Sequence, residues 1–290
     1  MNAGRFAPSP SGDLHVGNLR TGLLAWLFAR SSGRDFLMRI EDLDRVCLGA
    51  EQLQLADLRA IGIDWDGPLT RQSDRSDLYA DAVATLRTAG RVYECYCSRK
   101  EIHEAPSAPH HPPGAYPGTC RDLTEAQRAH RRAERPAALR LRADIGSHTV
   151  TDVLHGRVEG AVDDIVLVRN DGVPAYNLAV VVDDAAQGID QIVRGDDLLS
   201  SAPRQAYLAS LLGLAEPTYA HVPLALNAEG HRLAKRDGAV TLRDLADKGI
   251  PAEAVQGLIL TSLGMREGNL IAQFDPGTLP RDPWVFRPPL

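Results

Sequence analysis

The stretch from Arg5 to Gly22, R-F-A-P-S-P-S-G-D-L-H-V-G-N-L-R-T-G, leaves this chain few ways to fold. It reads as the end of a first strand, a stiff loop and the opening of a helix. Pro8 and Pro10 each fix φ and bias the preceding residue toward extended geometry. Gly12 and Gly17 let the backbone pass close to another group. His15 and Asn18 stand three apart before an apolar helical run from Leu19 to Phe28. A helix start presents unpaired N–H groups and the positive end of a dipole, which suits a polyphosphate. The expectation is a nucleotide site on a strand–loop–helix.

The rest of the chain extends that unit. Asp35 to Glu41 alternates Phe36, Met38 and Ile40 on one face, as a second strand does, and ends in the carboxylate cluster Glu41-Asp42-Leu43-Asp44. Helices are expected at Gln52 to Ile61, Ser76 to Ala89, Pro203 to Leu212, Leu242 to Lys248 and Ala252 to Leu263. Strands are expected at Ala138 to Ala143, Thr149 to Val158, Ile189 to Arg194 and Tyr219 to Leu226. Asn170-Asp171-Gly172 reads as the turn of a hairpin joining Asp164–Arg169 to Ala175–Val182. The Pro-rich tail from Pro276 reads as loosely held. Strands alternating with helices imply an α/β core with a doubly wound parallel sheet, whose strand order the pattern does not give.

Pro, His and Gly crowd Ala105 to Gly118, which reads as an irregular insertion. The organisation expected is a first half of a nucleotide-binding core at 1–92, an inserted module at 93–135, the second half at 136–240, and a short helical region with tail at 241–290. The formal charge of −6 argues against a coat of basic charge for indiscriminate nucleic-acid binding, while leaving room for a local RNA-binding face. Seven arginines between Arg121 and Arg142 make such a local excess, although a solvated helix face has the same look. No apolar run is long enough to span a bilayer and no signal core opens the chain, so a cytoplasmic protein with no membrane partner is expected. In a reducing compartment, Cys95-x-Cys97 with Cys120 downstream suggests a metal rather than disulfides, with His103, His110 or His111 as conventional further ligands. Cys47 has no such neighbour and reads as structural.

Arg5 to Gly22 resembles the HIGH signature of class I aminoacyl-tRNA synthetases, in the glutamyl/glutaminyl branch. Further segments match the branch in order: Gly62-Ile63-Asp64-Trp65-Asp66, Tyr176-Asn177-Leu178-Ala179 with Val182-Asp183-Asp184, Ile192-Val193-Arg194-Gly195, and Arg232-Leu233-Ala234-Lys235-Arg236 in place of the K-M-S-K-S loop. The resemblance implies amino-acid activation, in which an α-carboxylate meets the α-phosphorus of ATP and the site must supply positive charge and placement. His15, Gly17, Asn18 and Lys235 are then the ATP residues, with His15 and Lys235 catalytic and Mg²⁺ accompanying the nucleotide. For L-glutamate, the resemblance carries contact roles onto Arg5, Phe6, Ala7, Pro8, Ser9, Glu41, Tyr176 and Arg194. Guanidinium groups suit its carboxylates, Glu41 its ammonium, and Tyr176 a hydrogen bond. The family pattern C-x-C…Y-x₃-C makes Tyr116 the fourth ligand of a structural zinc beside Cys95, Cys97 and Cys120. Departures are Asn18 for the last His of HIGH, and a loop in which only Lys235 keeps an ammonium.

Only about fifty residues follow Gly238, where full glutamyl-tRNA synthetases carry anticodon-reading domains. In this the chain resembles the short paralogues, the glutamyl-Q tRNA(Asp) synthetases, as does Val180 within Y-N-L-A-V-V-V-D-D. The resemblance implies tRNA-independent formation of glutamyl-adenylate by a monomer, and transfer of glutamate to queuosine in the anticodon loop of tRNA(Asp). The alternatives are a truncated glutamyl-tRNA synthetase charging the tRNA 3′ end and a catalytically silent tRNA-binding module.

Overall fold

The computed structural model describes residues 2–104, 116–233 and 240–288. In chain order the first crossover comprises β1 (Ala3–Phe6), α1 (Val16–Ser31), β2 (Asp35–Ile40), α2 (Ala50–Ala60), β3 (Thr70–Arg71) and α3 (Ser76–Thr88). The middle comprises β4 (Val92–Cys95), α4 (Arg99–Glu104), α5 (Glu125–Glu134), β5 (Ala138–Leu141), β6 (Ser147–Asp152), β7 (Gly156–Ala161) and β8 (Val166–Val168). Then come α6 (Tyr176–Ala186), β9 (Ile189–Gly195), α7 (Ala202–Leu211), β10 (Thr218–Val222), β11 (Ala225–Leu226), α8 (Leu242–Ala246), α9 (Ala252–Ser262), α10 (Leu270–Gln273) and β12 (Trp284–Val285).

Seven strands form the main sheet in the order β3-β2-β1-β9-β10-β6-β7, parallel throughout except for the antiparallel edge pair β6–β7. Chain direction across the sheet reverses at β1, which lies between β2 and β9. In open α/β sheets ligands bind beyond the carboxyl ends of the strands at such a point. Alternation along the strands separates two cores. Val193, Ala220 and Val222 face the layer of α1, α2 and α9, whereas Ile192 and Tyr219 face the layer of α6 and α7. Helix α1 is buried nearly all round, with Val16, Leu19, Leu23, Leu27 and Phe28 in the core, so it needs cover on both sides. The sheet supplies one side and α9 and α10 the other, where Phe28 meets Phe274 edge-on at 5.0 Å between ring centres. Among the described residues, no helix is long and apolar enough to cross a membrane.

Three expectations change. Ala175–Val182 is no hairpin arm. The turn at Asn170–Gly172 forms, with Gly172 at φ +83°, but α6 then runs from Tyr176 to Ala186. A run of buried valines has no face that distinguishes strand from helix, and here α3, α7, β8 and β9 pack around the helix. The segment 149–158 is not one strand but the β6–β7 hairpin turning at 153–155. The tail is held: β12 pairs with β11, and Leu279 and Phe286 are buried. Separately, β4, β5 and β8 make a small antiparallel sheet of order β4-β5-β8 that carries the cysteine-rich segment.

Candidate functional site

Beyond the carboxyl ends of β1, β2 and β9 lies a cavity of about 530 Å³. Arg5, Phe6, Ala7, Pro8, Ser9, His15, Gly17, Asn18, Glu41, Tyr176 and Arg194 all line it. The structure thus brings together every sequence-derived candidate for the two small substrates except Lys235. Lys235 and its neighbours Ala234 and Arg236 lie outside the described residues.

The loop that floors the cavity is fixed by main-chain capture. Gln54 of α2 donates through Nε2 to Ser9 O at 3.0 Å and to Gly12 O at 2.6 Å. Gly12 sits at φ +145°, where a side chain would be strained. A Cβ on Gly17 would lie 3.0 Å from Ala225 Cβ and 3.0 Å from the His15 ring, so a side chain here would have to push β11 or the His15 ring aside by a few tenths of an ångström. His15 and Asn18 form a capping box: His15 Nδ1 accepts from Asn18 N–H at 3.2 Å, and Asn18 Oδ1 accepts from His15 N–H at 3.2 Å. With Nδ1 accepting, the neutral imidazole carries its proton on Nε2. The expectation of open N–H groups at this helix start is met only in part. Asn18 N–H is capped, and Val16 N–H donates to Val240 O at 2.8 Å. The same loop bears Asp13, which faces Asp57 of α2. Burial and Asp13 hold the Asp57 carboxyl up at about 6 against the opposing charge of Arg243. A folded pKa raised above the unfolded value lowers stability as pH rises from about 4 to 6. Asp57→Asn, by urea unfolding, is therefore expected to gain about 1 kcal/mol near pH 7, after discounting for partial exposure, and little near pH 4.

Period-2 alternation sets a row of charge on the α6 face of the sheet, running across adjacent strands from Arg39 of β2 through Arg5 of β1 and Arg194 of β9 to His221 of β10. The counter-charges come from the paired aspartates of α6. Asp184 accepts from Arg5 Nε at 3.0 Å, Arg5 NH2 at 3.4 Å and Arg39 NH1 at 2.8 Å. Asp183, fully buried, accepts from Arg75 Nε at 2.6 Å, Gln72 Nε2 at 2.8 Å and Tyr79 Oη at 2.9 Å. Burial pushes Asp184 up, but Arg39 and Arg5 outweigh it and hold the carboxyl below the usual range. Glu41, at the end of β2, accepts from Arg39 NH2 at 3.3 Å. Burial raises its carboxyl in spite of Arg39 and Arg5.

Arg194 differs from Arg5. Its Nε donates to His221 Nε2 at 2.9 Å, yet its NH1 and NH2 are buried with no partner among the described residues. Unpaired buried donors are costly unless a ligand supplies acceptors. Arg232, from the segment that stands in for K-M-S-K-S, also lines the cavity and pairs with Asp197 at 2.6 Å. Val180, by contrast, lies in the core under α7 and lines a separate, much smaller cavity, so it is not placed against the main one.

A second cluster sits on the small antiparallel sheet. The thiol sulfurs of Cys95, Cys97 and Cys120 all lie within 4.8 Å of one another. Tyr116 Oη is 3.3 Å from Cys95 Sγ and 3.8 Å from Cys97 Sγ, and Cys97 and Cys120 sulfurs are 3.5 Å apart. Tetrahedral bonds of about 2.0–2.3 Å put ligand atoms about 3.5–3.8 Å apart, so these four atoms fit around one zinc ion. The Arg140 guanidinium lies 3.7 Å over the Tyr116 ring and Cys120 N–H donates to Tyr116 Oη at 2.8 Å, both favouring the phenolate. Burial and the Cys95 thiol outweigh them and push the phenol above its ordinary value. His110 and His111 lie outside the described residues. Cys47 is exposed, with its thiol donating to Ser11 O at 3.2 Å. The arginine excess between 121 and 142 is largely spent inside the molecule: Arg132 pairs with Glu94, Arg135 with Glu101, Arg142 with Asp122 and Arg121 with Asp164. That pattern matches a solvated, self-paired face.

Residues 3–274 match the family described as tRNA synthetases class I (E and Q), catalytic domain. A glutamyl-Q tRNA(Asp) synthetase of Nocardia farcinica is 66% identical over 288 residues, covering 98% of this chain and 93% of that protein. A glutamate–tRNA ligase of Pelobacter propionicus is 38% identical over 302 residues, covering 98% of this chain and 63% of the ligase. The crystal structure of a glutamate tRNA ligase from Elizabethkingia meningosepticum, in complex with its amino acid, superposes with a TM-score of 0.83 at 27% identity, over 99% of this chain and 67% of that one.

Proposed function

The chain belongs to the class I tRNA synthetases (E and Q), and from that membership we propose that it joins L-glutamate to AMP without tRNA and then esterifies the queuosine base of tRNA(Asp). The α-carboxylate oxygen attacks the α-phosphorus of ATP, and the bond to the β-phosphate oxygen breaks to release pyrophosphate. A queuosine hydroxyl then attacks the carbonyl of the mixed anhydride, its proton leaves, and AMP departs. The observation that carries the reading is the pair of buried, unpartnered terminal nitrogens on Arg194, a residue that lines the cavity together with Glu41 and Tyr176. A guanidinium in that state is a receptor for a carboxylate. Three of the five Arg5 donors are already used by Asp184 and Val193 O, so Arg5 contributes field and the remainder of its donors. An ammonium beside Glu41 restores the ionised form that burial disfavours. Tyr176 donates from the rim, and Phe6, Ala7, Pro8 and Ser9 wall the amino-acid end. His15 Nε2–H, Gly17 and Asn18 face the phosphates, with Mg²⁺ as companion of ATP. Lys235 neutralises charge moving onto pyrophosphate. Transfer to queuosine rather than to the tRNA 3′ end is supported by the higher identity to the relative named for glutamyl-Q tRNA(Asp). In the second cluster a structural zinc is held by Cys95, Cys97, Tyr116 and Cys120.

Glutamate-dependent ATP–pyrophosphate exchange in the absence of tRNA tests the first step. Lys235→Ala is expected to slow it about 10²–10³-fold through lost transition-state charge; for the unsubstituted protein, exchange that appears only when tRNA is added points to an end-charging synthetase, and no exchange with or without tRNA leaves a silent tRNA-binding module. The second step is read by periodate, which attacks both the queuosine diol and the terminal ribose. Protection of queuosine supports the proposal, and protection of the terminal ribose makes the protein an end-charging synthetase.

A further inference from the structure

We infer that Asp152 and His221 are positioning residues that hold Arg194, a residue lining the cavity, by one nitrogen and leave its other two without a protein partner. The inference rests on the proposed role of Arg194 as receptor for the glutamate carboxylate. His221 is the register partner of Arg194 across β9 and β10, and Asp152 ends β6, where that strand meets β10 at Tyr219. All three side chains are buried.

The proton positions follow from elementary donor and acceptor rules. A guanidinium only donates, so His221 Nε2, 2.9 Å from Arg194 Nε, must be unprotonated. The single proton of the neutral ring is then on Nδ1, which donates to Asp152 Oδ2 at 2.7 Å. Asp152 is itself pinned, accepting from His221 N–H at 3.0 Å through one oxygen and from the N–H groups of Leu154 at 2.8 Å and His155 at 3.0 Å through the other. Burial and the neighbouring Arg194 keep the imidazole below its ordinary range, consistent with a ring that stays neutral.

The comparison with Arg5 shows what this arrangement achieves. Asp184 touches Arg5 directly and occupies two of its nitrogens. A carboxylate in direct contact with Arg194 would likewise take the fork and neutralise it. With an imidazole between them, Asp152 holds the arginine's direction at one ring's remove, and NH1 and NH2 remain for an incoming anion. A scaffold role alone would not require the charge to stand one residue back.

Two measurements test this. Nitrogen-15 NMR of the ligand-free protein near neutral pH is expected to show His221 as the Nδ1–H tautomer; the Nε2–H tautomer or an imidazolium overturns the inference. In exchange kinetics, His221→Leu removes the acceptor and is expected to raise the KM for glutamate about tenfold while the KM for ATP stays within about twofold. His221→Gln, which restores an acceptor, is expected to recover most of the loss. An equal rise in both KM values, or no rescue by Gln, means a merely structural role and overturns the inference. Arg194→Lys separates the two levels: a raised glutamate KM there with none in His221→Leu overturns the relay alone. An unchanged glutamate KM in Arg194→Lys overturns the carboxylate reading on which it rests.

Discussion

Asp184→Ala is expected to destabilise the protein by about 4 kcal/mol, because it leaves buried Arg5 without its counter-ion and takes from buried Arg39 the nearest of its three carboxylates. Arg5 and Arg39 are both buried and both bond to this one carboxylate. Losing one partner of a buried pair costs far more than the pair contributes, since the charge left behind, here that of Arg5, has neither water nor its carboxylate. Asp184→Asn keeps an acceptor and loses the charge, so its cost should be smaller, about 2–3 kcal/mol. Urea unfolding followed by circular dichroism checks both; a midpoint unmoved by Asp184→Ala would mean that this ion cluster does not hold the sheet to α6. The pH sign is set by the lowered carboxyl. Its stabilisation is present above the unfolded carboxylate range and is lost as pH falls through the folded value.

Removal of the proposed zinc is expected to melt the cysteine-bearing segment and leave the main sheet folded. Tyr93, Cys95, Tyr96, Tyr116 and Cys120 form a small core of their own, apart from the clusters on either face of the main sheet. A core of that size gains little from burial alone, whereas a structural zinc contributes roughly 10 kcal/mol or more of apparent binding free energy. Helix α5 buries none of its residues and has little reason to persist once its support is gone. After chelation, trypsin should cut at the arginines between Arg121 and Arg135 well before it reaches α1. Purified protein should contain about one zinc per chain, and Cys120→Ser should contain almost none, as three ligands rarely hold a closed structural site. Metal analysis that finds no zinc in the unsubstituted protein defeats the assignment.

The features legible in the sequence were those with local signatures. The Pro-and-Gly loop with His15 declared a stiff turn into a helix, and alternating Phe36, Met38 and Ile40 declared a strand with a carboxylate at its tip. Glu41, Arg5 and Arg194 converge because each ends a parallel strand, a rule that needs no knowledge of strand order. The misreadings have a common origin. The valines of α6 carry no periodicity, and only packing against α3, α7, β8 and β9 decides their conformation. The tail's Trp284 and Phe286 looked loose because their partner strand β11 lies nearly sixty residues earlier. Asp183 and Asp184 were visible as a motif, but their task of neutralising Arg39 and Arg75 depends on pairings over more than a hundred residues. His221 and Asp152 gave no signal, since a histidine and an aspartate in separate strands become a chain of hydrogen bonds only through register.

The shared carboxylate of Asp184 also imposes an order on synthesis. Arg39 precedes Asp184 by 145 residues and Arg5 precedes it by 179. A ribosome adding about 5–20 residues per second leaves these gaps open for roughly 7–36 seconds. Throughout that interval Arg5 lacks the carboxylate that it meets in the folded protein, and Arg39 has only Glu41 beside it. The complete ion cluster that ties β1 and β2 to α6 can close only after α6 has left the exit tunnel.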